Sequence, residues 1–509
     1  MKTKTNSMCW LKAAATVILA MCVQALVAQT IWYVGDAASQ WAGKPAANVK
    51  ATVEEAYEAA VTDGDEIWIA EGEYTVPVLA VKDVSIYGSF AGTESSVDDR
   101  EQVAGGKPWE FVHPTVIKNS GNPVFNKSSG VSTLMINGIT FDGEDGNRRA
   151  INFSGGSASS ENVLSHCIFK NYRMSGDGGA LNIRDATTVS YCLITNNAAN
   201  KGGGGYVEMV TIHDCEVTNN SLLATGTTPT AQSNGSGGGL LFGPAAPGTT
   251  GYNLYVAGNS ATFGGGVILR ENARLFNSIF ENNTAEISGG AVAFEDRDSN
   301  IICYNLTIVD NHADAADGAG GVVFSTRNDG DRIQTLYNSI LWNNTNGANN
   351  VVNFGVFITG TGMVLPDFGY NLIDRLTDYP AQFNLTTTGC VAEPNSAAIF
   401  GEDWKLKAGS PAINNGTVEV PGVDLFPEFD YAGNLRVIGG LVDMGAYEFD
   451  PDSGNSIPGI IVNDPVTSVK YYTLQGVEVL KPENTGIYIV KKVHASQRVE
   501  TVKELYIRR

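Results

Sequence analysis

The sequence of 509 residues contains few cysteines, few histidines and few basic residues. Five of its seven cysteines lie beyond residue 28, an odd number without paired spacing, so a disulfide framework and a Cys-x-x-Cys zinc site are excluded. The five histidines are scattered, no motif specifies Ca²⁺, and no cofactor is expected. With 33 Lys and Arg against 54 Asp and Glu, the chain lacks the basic surface that nucleic acid requires.

Long apolar runs are also scarce, and the one at the start has the features of an export signal. Three lysines precede an apolar stretch from Ala13 to Ala28, so residues 1–28 are predicted to be a signal peptide cleaved after Ala28. Its removal moves the formal charge from −21 to −24. The segment from Leu19 to Cys22 resembles a lipobox, which makes lipid anchoring at Cys22 the alternative. Either way, we expect an extracellular or outer-membrane surface location.

What the sequence does contain is a repeat. Each unit has a short apolar strand ending in an Asn-rich turn, then a glycine cluster and a second apolar strand. The strand-and-turn pieces are residues 166–171, 191–196, 214–219, 277–282, 305–310 and 338–343. The turn residues are Asn171, Asn196, Asn219, Asn259, Asn282, Asp310 and Asn343, and their spacing of 23 to 40 residues lengthens where loops intervene. This period, without a leucine-rich consensus or helical patterning, predicts the coils of a parallel β-helix.

Stacking of such coils places like residues on like. Five aliphatic residues are predicted to point inward and form apolar ladders: Ile168, Ile194, Ile279, Ile308 and Leu341. Small residues recur four positions before the turn, at Cys167, Cys192, Cys215, Ser278 and Ser339. They predict a buried ladder, since free cysteine packs as a small hydrophobe, and a reactive thiol site is the alternative.

Both ends of the solenoid carry recognisable sequence. Residues 48–61 have helical periodicity and are predicted to cap the first coil, which would otherwise expose its edges. Residues 63–74 and 86–94 resemble the start of secreted pectate-lyase-like β-helix proteins of the Bacteroidetes. Three blocks at the far end, 408–416, 430–436 and 442–448, resemble the choice-of-anchor Q family. The resemblance implies an all-β, right-handed parallel β-helix over residues 29–450, with the choice-of-anchor Q-like end at 405–450, and an extracellular location.

A linker, residues 451–456, separates this solenoid from a tail of different charge. Residues 456–509 contain eight Lys and Arg and five Asp and Glu, and two apolar runs, 469–479 and 486–491, predict a small antiparallel β module within 457–509. The module resembles the C-terminal sorting domain of type IX secretion substrates, which implies the outer-membrane secretion machinery as a partner. A small adhesive β module is the alternative. We expect the whole chain to be a monomer.

Charged residues recur just after the glycine-led strand. They are Arg184, Asp185, Glu208, Arg270, Glu271, Glu295, Asp296, Arg297, Asp298, Arg327, Asp329 and Asp331. Coil stacking is expected to align them in one column on one flank of the solenoid, where an extended polymer could receive repeated charge-assisted hydrogen bonds. The alternative is a solvated column of turn residues with no ligand.

Function is predicted less sharply than fold. No Gly-x-Ser-x-Gly elbow, P-loop or His-Glu-x-x-His motif occurs. The Gly-His-Gly and Arg-Ile-Lys motifs of polygalacturonases and the Arg-x-Pro-x-x-Arg motif of pectate lyases are also absent. We therefore expect a glycan-binding protein or adhesin first. A polysaccharide lyase or glycoside hydrolase with paired acids in the column comes second, and a structural surface-layer role third.

Overall fold

The short apolar runs of the sequence form parallel strands, each paired with the equivalent strand of the next coil, in a computed structural model of the chain. The structure describes residues 29–223, 237–295, 300–326, 334–358, 366–375 and 388–450, and four strands between 466 and 506. The chain divides into two units, Met1–Phe449 and Asp450–Arg509. The first unit is the predicted parallel β-helix.

Four stacks of strands form the wall of the β-helix. The first and second stacks belong to one 23-stranded sheet, the third is a seven-stranded sheet and the fourth a ten-stranded sheet. In the coils from residue 162 onward, the chain visits the four stacks in that order. The two long strands Arg274–Glu281 and Ile301–Val309 run through the first and second stacks without a break and join them.

The strands are numbered in chain order. The opening part contains β1 (Ile31–Val34), β2 (Val49–Lys50), β3 (Glu66–Ala70), β4 (Gly72–Val76), β5 (Leu79–Ala80), β6 (Ser85–Phe90), β7 (Thr115–Asn119), β8 (Phe125–Lys127), β9 (Met135–Asn137), β10 (Ile139–Asp142) and β11 (Ile151–Phe153). Three regular coils follow, with β12 (Asn162–Ser165), β13 (Ile168–Lys170), β14 (Arg173–Asp177), β15 (Leu181–Ile183), β16 (Thr187–Ser190), β17 (Leu193–Thr195), β18 (Ala198–Lys201), β19 (Gly205–Val207), β20 (Val210–His213), β21 (Glu216–Thr218), β22 (Ser221–Leu222) and β23 (Leu240–Phe242).

The later coils continue the same order to the end of the solenoid. They contain β24 (Thr250–Tyr252), β25 (Tyr255–Ala257), β26 (Ser260–Phe263), β27 (Val267–Leu269), β28 (Arg274–Glu281), β29 (Thr284–Ser288), β30 (Val292–Phe294), β31 (Ile301–Val309), β32 (His312–Ala313), β33 (Val322–Thr326), β34 (Gln334–Tyr337), β35 (Ile340–Trp342), β36 (Thr345–Asn346), β37 (Phe354–Ile358), β38 (Asp367–Gly369), β39 (Leu372–Ile373) and β40 (Val391–Ala392). Three short 3-10 helices are Ala46–Asn48, Val97–Asp99 and Glu402–Trp404.

The turn asparagines lie where the chain bends from the second stack to the third. Asn171, Asn196, Asn219, Asn282, Asp310 and Asn343 adopt left-handed backbone angles, with φ between 54° and 59°, as short polar side chains tolerate. Asn259 was assigned to this set wrongly, because Gly258 takes the left-handed position in that coil.

Asn259 belongs instead to a buried ladder one residue further along. The ladder runs through Asn197, Asn220, Asn259, Asn283, Asn311, Asn344 and Asn353, each amide nitrogen donating to the next amide oxygen at 2.7–3.0 Å. Each side chain thereby satisfies polar groups that burial would otherwise leave unpaired.

The interior of the coils confirms part of the predicted apolar ladder and corrects its register. Ile194, Ile308 and Leu341 lie in the main core as predicted. Ile168 and Ile279 do not, because their neighbours Phe169 and Phe280 point inward in their place. Side chains alternate along a strand, so an error of one residue turns an inward position outward.

The predicted ladder of small residues is confirmed. The amides of Cys167 and Cys192 donate to the sulfur of the next cysteine in the ladder, both at 3.4 Å. Ser278 and Ser339 lie in the same buried column, where they alternate with Leu254 and Leu306 and accept from the amides of those leucines at 3.1 Å. Burial raises the pKa of the Cys167 and Cys192 thiols well above the usual value, which suits a structural role.

A short helix, α1 (Val53–Ala59), closes the first coil as predicted, though it is shorter than the periodic stretch. Thr52 and Glu55 form a capping box at its start. Val53, Ala56 and Tyr57 are buried against the core, so the helix covers apolar surface that the open coil would expose.

At the other end, the chain leaves the solenoid and folds back over it. Residues 396–449, named here the roof segment, begin with the one-turn helix α2 (Ser396–Ile399). Side chains from bends between the first and second stacks hold this segment. Asn277, Asn305 and Asn338 donate to the carbonyl oxygens of Phe429, Asp443 and Thr417 at 2.7, 3.1 and 2.7 Å.

The second unit contains four antiparallel strands, as the sequence predicted for a small β module. They are β41 (Val466–Tyr472), β42 (Glu478–Val479), β43 (Gly486–His494) and β44 (Val499–Tyr506), in the order β42-β41-β43-β44. The predicted linker 451–456 and the predicted signal peptide 1–28 lie outside the described residues. Among the residues that the structure describes, no helix is both long and apolar enough to span a bilayer.

Candidate ligand-binding cleft

The predicted charged column follows the strands of the fourth stack. The pairing of β15, β19, β23, β27 and β30 brings Arg184, Glu208, Arg270 and Glu295 into line, with Gly243 between Glu208 and Arg270. The expected alignment therefore holds for these four residues. Asp296, Arg297, Asp298, Arg327, Asp329 and Asp331 lie outside the described residues.

Most described members of the column are engaged within the wall itself. The Arg270 Nε lies 2.6 Å from Glu295 Oε2, and both side chains are buried. Glu208 accepts from the hydroxyl of Tyr206 at 2.7 Å. Arg184 lies over the Tyr206 ring, 4.8 Å from its centroid.

Asp185 and Glu271 stand one residue beyond the column. Asp185 is fully buried, and its carboxylate lies 2.9 Å from the ammonium of Lys127 and accepts from the backbone of Ser157. Glu271 is half-buried and has a partner. A buried charge without a partner is costly, and these pairs within the wall neutralise such charges. They therefore leave fewer charged side chains of the column to bind a ligand.

A cleft of about 550 Å³ lies instead on the outer face of the second stack. Its size falls within the range usual for small-molecule and sugar sites. The cleft is lined by Lys107, Glu216, Tyr255, Ile279, Glu281, Gly401, Asp403, Trp404, Tyr431 and Tyr447. These residues come from three separated parts of the chain: a loop near residue 107, the coil strands and the roof segment.

The floor of the cleft is built by strand alternation. Glu216, Tyr255 and Ile279 are stacked partners on β21, β25 and β28 and point away from the core. Glu281, two residues after Ile279, points to the same side. The Tyr255 hydroxyl donates to Glu281 Oε2 at 2.8 Å, which fixes both side chains.

Trp404 forms one wall of the cleft. It packs edge-to-face on Phe400, with ring centroids 5.2 Å apart. Asp403 and Trp404 both adopt left-handed backbone angles, with φ of 54° and 60°. A non-glycine residue in that conformation costs free energy, so the contacts around Asp403 and Trp404 must hold them there.

Tyr431 and Tyr447 form the neighbouring wall, with their rings edge-to-face at 5.3 Å. The backbone amide of Tyr431 donates to Ala446, and that of Ala446 donates to the Thr307 hydroxyl, both at 3.0 Å. The two tyrosines are therefore tied to each other and to β31 of the solenoid.

A buried charge cluster supports these tyrosines from behind. The guanidinium of Arg436, fully buried, donates to the carbonyl oxygens of Asp443, Gly445 and Ala446 and lies 3.7 Å from Glu448. Asp430 accepts from the Glu448 amide at 2.8 Å. Burial raises the pKa of Glu448 to about 8, more than the nearby Arg436 lowers it.

The electrostatics of the cleft are acidic. Lys107, the only basic side chain among the described lining residues, pairs with Glu216. Glu281 accepts from two neutral donors, Tyr255 and Asn282, and keeps its charge uncompensated. Burial raises the pKa of Tyr447 to about 12, and the pKa of Tyr431 is raised for the same reason, so both hydroxyls stay neutral.

Two signals in the sequence pointed to this cleft and were missed. In successive coils, the residue at the first bend is His166, Tyr191 and Asp214, and then an asparagine at 253, 277, 305 and 338. The last three of these asparagines hold the roof segment. An outward-facing Glu–Tyr–Ile run across coils, at 216, 255 and 279, was a second signal, hidden by the wrong assignment of Ile279 to the core.

No metal site accompanies these groups in the part of the chain that the structure describes, where no three His, Cys, Asp or Glu side chains are arranged to hold an ion. No protein-family model matches the chain, and no curated protein matches it.

Proposed function

We propose that the protein binds glycans in the cleft and works as an exported binding protein or adhesin at the cell surface. The observation that carries the proposal is the combination of four aromatic rings with three carboxylates in one cavity: Tyr255, Trp404, Tyr431 and Tyr447 beside Glu216, Glu281 and Asp403. Aromatic rings pack on the apolar faces of sugar rings, and carboxylates accept hydrogen bonds from sugar hydroxyls.

Export and surface attachment belong to the same proposal. The predicted signal peptide at 1–28 supports them, as does the resemblance of residues 405–450 to the choice-of-anchor Q family. The resemblance of residues 457–509 to type IX sorting domains supplies a route through the outer-membrane secretion machinery. An acidic, exported solenoid with a cleft on its middle coils suits contact with glycans outside the cell.

The second candidate is a glycoside hydrolase or polysaccharide lyase acting in the same cleft. It is favoured by Glu216, Glu281 and Asp403, since glycosidases use a pair of carboxyl groups flanking the scissile bond. Binding is the better supported of the two, because Lys107 and Tyr255 already donate to Glu216 and Glu281 and hold them as acceptors. A general acid needs a carboxyl group that is free to deliver a proton.

The test compares the full-length chain with Trp404→Ala on a panel of plant, host and bacterial polysaccharides. Retention is measured by affinity electrophoresis and Kd by calorimetry, while reducing ends and unsaturated products are followed in parallel. Loss of the Trp404 ring should weaken binding by about 2 kcal/mol, roughly 30-fold, as expected for a central aromatic contact.

Tyr191→Ala is the matched control, since Tyr191 is a 38% exposed aromatic outside the cleft. Its Kd should equal that of the unaltered chain. If both variants weakened binding equally, the cleft would not be the binding site. The same conclusion would follow if the chain cleaved a polysaccharide and Trp404→Ala cleaved it at an unchanged rate. Products lost in Trp404→Ala alone would make the second candidate correct.

A further inference from the structure

The charges of the cleft narrow the chemistry of its ligand. Of its three carboxylates, only Glu216 has a basic partner, Lys107. Glu281 has neutral donors, and Asp403 is exposed with no hydrogen bond or ion pair among the described residues. Lys405 is close in sequence but does not line the cleft. Two negative charges therefore remain for a ligand to neutralise.

The aromatic walls favour the same sign of ligand charge. The face of an aromatic ring attracts a cation, most strongly in tryptophan, and four rings line the cleft together with the two carboxylates that lack a basic partner. Neutral tyrosine hydroxyls add hydrogen-bond acceptors without adding repulsion. An ammonium group in the cleft would meet both a carboxylate and ring faces, whereas a uronate carboxylate would meet two like charges.

We propose that the cleft selects glycans carrying free amino groups, oligomers or polymers of 2-amino-2-deoxyhexoses, over neutral and uronic-acid glycans. This inference rests on the proposed glycan-binding function. The ring hydroxyls of the amino sugar hydrogen-bond to the remaining lone pairs of Glu281 and Asp403, and its ammonium group forms the charge-assisted contact. An N-acetyl group removes that charge and places an amide where the cation would lie.

The experiment titrates the full-length chain calorimetrically with β-1,4-linked tetramers of glucosamine and of N-acetylglucosamine, and with a galacturonate tetramer of the same length. The glucosamine tetramer should bind about tenfold or more tightly than the N-acetylated one. Raising the salt concentration should reduce that preference, because opposite charges are screened. The galacturonate tetramer should bind most weakly.

Variants connect the preference to the cleft. The preference is the Kd of the N-acetylated tetramer divided by the Kd of the glucosamine tetramer. Glu281→Gln and Asp403→Asn should each lower this ratio by roughly fivefold to tenfold. Glu161→Gln is the matched control, since this exposed acid lies outside the cleft and removes the same charge from the molecule. Its Kd ratio should be unchanged, which separates local contacts from the overall acidity of the chain.

The outcomes distinguish this inference from the proposed function. Equal or tighter binding of the N-acetylated tetramer would overturn the amino-sugar preference and leave glycan binding standing. A loss of preference in Glu161→Gln as large as in Glu281→Gln would also overturn it. If a lysine tetrapeptide bound as tightly as the glucosamine tetramer, the cleft would recognise cationic peptides, and the amino-sugar preference would be overturned. Absence of binding by every glycan would overturn the proposed function itself.

Discussion

The solenoid carries acidic groups along its fourth stack and in the cleft on its second stack, and the two regions differ in how those charges are neutralised. Behind the fourth stack, Arg270 pairs with Glu295 and Lys127 with Asp185, and all four side chains are buried. In the cleft on the second stack, acids from different coils converge with a single lysine. The coil repeat supplies acidic residues to both regions. Only the cleft keeps charge for a ligand, because separate chain segments meet there.

The largest expected effect tests the structural side of this comparison. Asp185→Ala should lower the free energy of unfolding by about 3–5 kcal/mol, since it leaves the Lys127 ammonium buried without its partner. Denaturant unfolding followed by circular dichroism measures the change. Glycan affinity of the folded fraction should stay the same.

The double variant Lys127→Met with Asp185→Leu is the control, because it removes both charges and keeps apolar volume. It should recover most of the lost stability. A stability loss below about 1 kcal/mol in Asp185→Ala, combined with weaker glycan binding, would contradict this prediction. It would identify the charged column as the ligand-binding surface.

A smaller effect concerns pH and the cluster behind the cleft tyrosines. The pKa of Glu448 is raised to about 8 in the folded chain by burial, against about 4.3 for an unperturbed Glu. The folded state therefore keeps a proton that the unfolded state releases, and stability should fall as pH rises through this window. The slope should be on the order of 1 kcal/mol per pH unit.

Thermal unfolding across pH 5 to pH 8, compared between the unaltered chain and Glu448→Gln, measures this dependence. Glutamine resembles the protonated side chain, so the variant should show a flatter profile and a smaller loss of stability toward pH 8. Parallel profiles would show that Glu448 is already ionised beside Arg436.

The smallest effect is expected at Arg184, the most exposed described basic member of the charged column. Its side chain is 38% exposed, lies 3.4 Å from Asp177 and covers the Tyr206 ring. Arg184→Ala should cost about 1 kcal/mol or less in unfolding free energy, as exposed ion pairs usually do. A tenfold loss of polysaccharide affinity in this variant would contradict the comparison and identify the column as a binding surface.

The sequence predicted the solenoid well because its evidence is local and repeated. Each coil needs a bend at a fixed place, and the asparagines at 171, 196 and 219 mark it by their tolerance of left-handed angles. Ile194 and Ile308 were placed correctly for the same reason, since each lies two residues before a bend.

The cleft could not be predicted in the same way. Ile279 was placed in the core because the expected strand register was wrong by one residue. Alternation assigns a side chain to the correct face only when the register is known to a single residue. Lys107, Trp404 and Tyr447 belong to no repeat, so no periodic signal connects them. Lys107 comes from a separate loop, and Trp404 and Tyr447 reach the cleft because the roof segment docks on the solenoid. Such long-range docking is not encoded in any short window of sequence.

The roof segment also imposes an order in time on the assembly of the cleft. Its residues are separated by 79 to 152 positions from the coil side chains that hydrogen-bond to them, as in the contacts of Asn338 with Thr417 and of Asn277 with Phe429. Such distant pairings form late, after local coils have closed. The segment also follows, along the chain, the coils that form the floor of the cleft. Ligand binding would then report that the whole solenoid is complete, so a truncated or partly folded chain would not bind.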